Sequence, residues 1–125
     1  MGYGYFKNNM VSQRSIFHLF FRKPPFGRNY AVAAGLRVAQ ELVEQFHFSG
    51  EDIAYLRSLI GNDQQPLFSE EYLDLLSKWR PNVEIMGVPE GSAILEHCPI
   101  LRIEGPLLDC QLLETPLLTL SLIHI

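Results

Sequence analysis

The chain has 125 residues, 47% hydrophobic and 19% charged, which is globular composition and excludes intrinsic disorder as its main state. Fourteen acids against ten bases give a net charge of −4, with no basic run, so sequence-independent nucleic-acid binding is excluded. Two cysteines, Cys98 and Cys110, make neither a disulfide scaffold nor a paired zinc motif, and read as buried thiols of a reducing compartment.

In chain order, Met1 to Val11 reads as the tail of a helix, with a turn at Asn8-Asn9 and no secretory apolar run. Ser15 to Phe21 is almost continuously apolar and predicts a strand covered on both faces. His18 inside it reads as a core histidine with a backbone partner, or else as a ligand or catalytic residue. Arg22-Lys23-Pro24-Pro25-Phe26-Gly27 then ends the strand, because proline cannot donate a ladder hydrogen bond. Two cations held at a rigid strand exit, with Gly27 and Arg28 beside them, form either a site or a solvated basic loop.

Tyr30 to Phe46 predicts a helix, with Val32, Leu36, Ala39, Val43 and Phe46 on one stripe. Ser49 with Asp52 is close to a capping box and opens a second helix, stopped by Gly61-Asn62-Asp63. Ser69 opens a third, with Glu70 and Glu71 suiting the helix dipole, and it ends at Trp79-Arg80-Pro81. Trp79 is expected in the core or at an interface.

From Val83 the period changes. Val83 to Val88, Ala93 to Leu95 and Ile100 to Ile103 predict short strands around a Pro89-Glu90-Gly91 turn, a small and mostly antiparallel element. Gly105-Pro106 predicts the start of a last helix, with Leu107, Cys110, Leu113 and Leu117 as its stripe and Pro116 kinking or ending it. The apolar stretch from Leu112 to Ile125 is interrupted by Glu114, Pro116 and His124 and is shorter than the about 18 apolar residues of a membrane span. The expectation is a cytoplasmic protein without membrane or nucleic-acid partners. Both ends read as truncated.

No glycine-rich phosphate motif and no nucleophile elbow occurs. His18, His47, His97 and His124 show no metal spacing, and the adjacency of His97 and Cys98 does not aim two ligands at one ion. The residues alone therefore yield a fold class, α/β (α+β), and a basic loop, but no reaction.

Several ordered blocks carry a resemblance. Tyr3 to Met10, Phe17 to Gly27, Tyr30 to Leu36, Glu51 to Leu56, Pro89 to Gly91, Arg102 to Leu108 and Gln111 to Leu118 together resemble the start of bacterial nicotinate phosphoribosyltransferase. The similarity covers residues 3 to 118, taken as one domain over residues 1–118 that is incomplete at its start, with residues 119–125 as a tail departing from the family.

The resemblance implies an enzyme of NAD biosynthesis, in the ATP-dependent ligase class, that joins nicotinate to 5-phosphoribosyl 1-diphosphate and releases diphosphate. It implies ATP hydrolysis through a phosphorylated histidine, with Mg, and a homodimer with sites built between subunits. The implied fold is the N-terminal domain of a type II phosphoribosyltransferase, with helices on a small mixed sheet and the barrel domain missing. The family's Asp-Leu-Tyr-Gln block, whose tyrosine holds the nicotinate ring, is expected just before Gly2 and is absent. None of the four histidines aligns with the phosphorylated one, so no catalytic residue, cofactor or metal is assigned to this chain, and the chain alone is expected to be inactive. Arg22 follows the aromatic strand as a phosphate-contacting arginine does in related enzymes, reaching a neighbouring subunit's site, and Lys23 is a weaker candidate. The alternatives are a non-enzymatic module that binds a partner subunit, and a fragment of a nicotinamide or quinolinate phosphoribosyltransferase. The Phe-Phe-Arg-Lys-Pro-Pro-Phe block favours the nicotinate branch.

Overall fold

The computed structural model describes residues 1–24 and 27–124, with side chains described as far as Leu120. The order of elements is α1 (Gly2–Lys7), β1 (Arg14–Leu19), β2 (Ala31–Val32), α2 (Leu36–Gln45), α3 (Gly50–Ser58), α4 (Glu70–Lys78), β3 (Glu84–Gly87), β4 (Ala93–Ile94), β5 (Leu101–Pro106) and α5 (Leu107–His124). Helices pack on a small sheet of order β1-β5-β3, with a separate β2-β4 pair, and all of these pairings are antiparallel.

The period of two decides which face of the sheet is covered. Phe17 and Leu19 on β1, Leu101 and Ile103 on β5 and Ile85 on β3 point to one side. There they meet Ala39 and Val43 of α2 and Cys110, Leu113 and Leu117 of α5. A second cluster joins Ile53 of α3 and Tyr72, Leu73 and Leu76 of α4 to Tyr3 and Phe6 of α1. A third gathers Phe21, Ala31, Ala33 and Ile94 around the small strand pair.

Both helix starts with serine caps form as their sequences predict. The Ser49 hydroxyl accepts from the Asp52 amide at 3.1 Å while the Asp52 carboxylate accepts from the Ser49 amide at 2.8 Å. The Ser69 hydroxyl accepts from the Tyr72 amide at 3.3 Å. Trp79, at the end of α4, is buried.

Several expectations are corrected. β1 is covered on one face only: Ile16 and Phe20 stand 47% and 43% exposed. Its second face is mixed, with Arg14, Ile16 and His18 exposed. His18 lies on that exposed face opposite Arg102 and is not a core histidine. Tyr30 to Gly35 is not helical. Ala31 and Val32 pair with Ile94 and Ala93, and Gly35 takes a positive φ of 95° as the N-cap of α2. The fourth correction concerns Cys98, which is exposed, whereas Cys110 is buried as expected.

The last helix also differs. Gly105 and Pro106 end β5 instead of opening α5. Pro106 lies past Glu104, the last residue of β5 paired to β3, so its missing N–H costs no ladder bond on that side. Gly105 is required by a close approach: a Cβ there would sit 2.8 Å from the Asn82 carbonyl oxygen and 3.2 Å from the Val83 Cα. Helix α5 runs through Pro116 to His124. Buried Leu113 and Leu117 hold the helix on both sides of the proline, and their burial offsets an interior-proline cost of about 3 kcal/mol.

Candidate functional site

The basic strand exit is built outward from Phe21. Its side chain is buried with Ala31, Ala33 and Ile94, which anchors the chain just past β1. Two backbone bonds hold the same stretch to the turn that precedes β5. The Ile100 amide donates to the Leu19 carbonyl at 2.8 Å, and the His97 amide donates to the Phe21 carbonyl at 2.9 Å. The Phe20 ring lies beside the His97 ring, with centroids 6.0 Å apart. Arg22, Lys23 and Arg28 follow, all exposed. The predicted residues Pro25 and Phe26 lie outside the described residues.

Half of the cations are paired with carboxylates, while Lys7 lies over the Tyr3 ring and Arg80 donates to the Trp79 carbonyl. Arg14 and Arg102 share Glu104, Arg37 pairs with Glu41, Arg57 with Glu70 and Lys78 with Asp74. Among the described residues, Arg22, Lys23 and Arg28 have no carboxylate partner within ion-pair distance. Arg22 and Lys23, exposed and directly after the anchored Phe21, present positive charge that suits an anion.

The neighbouring helix start is not a second such place. The turn at Pro89-Glu90-Gly91 carries the Glu90 carboxylate onto the N-terminus of α2, where it accepts from the amides of Gly35 at 3.0 Å and Arg37 at 3.3 Å. The positive end of that helix is therefore already neutralised. Sequence reasoning places the turn but not the cap, because 55 residues separate Glu90 from Gly35. An apolar cleft lined by Leu19, Val32, Leu36, Val88 and Ile94 opens nearby, with Glu90 at its rim, and offers no cation to a phosphate.

The remaining histidines and thiols do not assemble into chemistry. The His47 ring lies 2.8 Å from the Gln45 carbonyl oxygen and His97 adjoins the exposed thiol of Cys98. Among the described residues no three His, Cys, Asp or Glu side chains converge as cation ligands. No helix among them is long and apolar enough to cross a membrane.

Comparison with known proteins places these features in a family context. The sequence model of the nicotinate phosphoribosyltransferase (NAPRTase) N-terminal domain matches residues 1–121. A nicotinate phosphoribosyltransferase of Dictyostelium discoideum is 39% identical over 121 residues, covering 96% of this chain and 20% of the relative. The Homo sapiens protein of the same name is 38% identical over 120 residues, covering 96% of this chain and 22% of the relative. The crystal structure of human nicotinic acid phosphoribosyltransferase superposes with a TM-score of 0.82 at 37% identity, over 96% of this chain and 23% of that one. The chain thus spans about a fifth of the length of the curated relatives it matches.

Proposed function

The chain belongs to the nicotinate phosphoribosyltransferase N-terminal domain family, and from that premise we propose that its basic strand exit binds the phosphate of 5-phosphoribosyl 1-diphosphate in the site of a neighbouring subunit. The complete enzyme would join this donor to nicotinate in NAD biosynthesis, as an ATP-using cytoplasmic homodimer. The 125-residue chain alone would not turn over, since the phosphorylated histidine and most donor contacts of that reading lie in the barrel domain.

The observation that carries the proposal is the exposed Arg22-Lys23 pair at the anchored strand exit, without carboxylate partners among the described residues. Arg22 is the strongest member. It directly follows the anchored Phe21, and a guanidinium presents a planar fork that grips two phosphate oxygens at once. Lys23 adds a point charge without that geometry.

The test uses a full-length enzyme carrying this domain. A charge-assisted hydrogen bond is worth about 1.5–3 kcal/mol, so Arg22→Ala should raise the donor KM roughly tenfold to a few hundredfold. Arg22→Lys should recover only part of the loss, and the nicotinate KM should move less. A donor KM within about twofold of wild type in Arg22→Ala, a difference under roughly 0.5 kcal/mol, would overturn the assignment.

A further inference from the structure

The position of Arg22 depends on a residue 75 places along the chain. His97 has φ +61°, one of three non-glycine residues at positive φ among those described. The other two, Asn9 and Gln64, lie in local turns, after α1 and between α3 and α4. His97 instead makes a long-range bond. Its amide donates to the carbonyl of Phe21, the residue immediately before Arg22. In the left-handed conformation the chain reverses within one residue, which lets this amide leave its own turn and reach the strand exit. Next to it, the Cys98 amide closes the turn on the Leu95 carbonyl at 3.3 Å, and Ile100 returns to the Leu19 carbonyl.

We propose that His97 is a positioning residue for donor binding: its left-handed backbone clamps Phe21 and so holds Arg22 in place. The inference rests on the phosphate-binding reading of Arg22. The Phe21 side chain is held by its apolar cluster, but a side chain in a cluster leaves its peptide plane free to rotate. The His97 bond fixes the plane from which Arg22 departs. Because the clamp is made by the backbone, what it requires of residue 97 is access to positive φ, which glycine has freely and a β-branched residue lacks.

Four variants of the full-length enzyme test this: Arg22→Ala, His97→Gly, His97→Val and the double variant Arg22→Ala/His97→Val. His97→Gly should leave the donor KM within about twofold. His97→Val should raise it by about five- to thirtyfold, the equivalent of forcing a side chain out of or into the left-handed region. The kcat and the nicotinate KM should stay within about twofold, and the valine change should add nothing in the Arg22→Ala background. If His97→Val does not fold, His97→Ala supplies the same comparison with a milder backbone penalty.

A donor KM unmoved by His97→Val while Arg22→Ala raises it would overturn the clamp and leave the Arg22 reading standing. An equal loss in His97→Gly would assign the effect to the ring and overturn the backbone clamp. A valine effect that persists without Arg22 would also overturn it. An unmoved donor KM in Arg22→Ala would remove the Arg22 reading, and this inference with it.

Discussion

The indole Nε1 of Trp79 donates to the carboxylate of Asp109 at 2.8 Å, with both residues buried. The second oxygen of Asp109 accepts from the Asn82 amide, also at 2.8 Å. One carboxylate on the first turn of α5 thus joins the end of α4 to the segment entering β3. Removing it leaves a buried indole N–H and a backbone amide without their acceptor, at about 1–3 kcal/mol for each unsatisfied group. Asp109→Ala should therefore destabilise the fold by roughly 2–5 kcal/mol in urea unfolding. The Trp79→Phe/Asp109→Ala double variant should cost less than the sum of the two single changes, since they share one bond.

Gly105 tests the close approach of β5 to the chain entering β3. Its missing Cβ would meet backbone, at 2.8 Å from the Asn82 carbonyl oxygen. Backbone cannot move aside as a flexible side-chain end can. Gly105→Ala should lower stability by about 1–3 kcal/mol, the usual cost of overpacking. Gly50→Ala is the control, because nothing lies within 4 Å of its Cβ position. Equal unfolding midpoints for the two variants would contradict the packing.

Acid should weaken the sheet through Glu104. Its carboxyl is held below the ordinary glutamate range, first by the hydrogen bond from Arg14, then by Arg102. A carboxylate with a depressed folded-state pKa contributes stability above its unfolded value and loses it as pH falls through the folded value. Thermal midpoints should drop as pH falls below the ordinary glutamate value. Glu104→Gln should flatten that part of the profile, and an unchanged slope would show that the pair contributes nothing measurable.

The two thiols should differ in reactivity. Cys98 is exposed, whereas Cys110 is fully buried and its thiol pKa is pushed up, chiefly by burial. The thiolate is the reactive form. A maleimide should label Cys98 rapidly in the folded chain and Cys110 only after denaturation, as read by peptide mass spectrometry. Early labelling at Cys110 would mean that α5 does not stay packed on the sheet.

Local signals in the sequence determined the elements whose causes are local. Ser49 with Asp52, Ser69 with Tyr72 and the Trp79-Arg80-Pro81 stop each act within four residues, so the second and third helices were legible. The ordered blocks from Tyr3 to Leu118 likewise carried the family resemblance, and Arg22-Lys23 marked the basic exit. Tertiary structure decided what depends on distant partners. β1 has apolar residues on both faces, so its pattern alone could not say which face would be covered until α2 and α5 packed against Phe17 and Leu19. The stripe from Val32 to Phe46 fits a helix, yet Ile94 and Ala93 draw its start into a strand and Glu90 caps what remains. Pro116 is a local stop signal that loses to the burial of Leu113 and Leu117. The bond from His97 to Phe21 had no local signal, because the left-handed turn that makes it closes on a residue 76 places earlier.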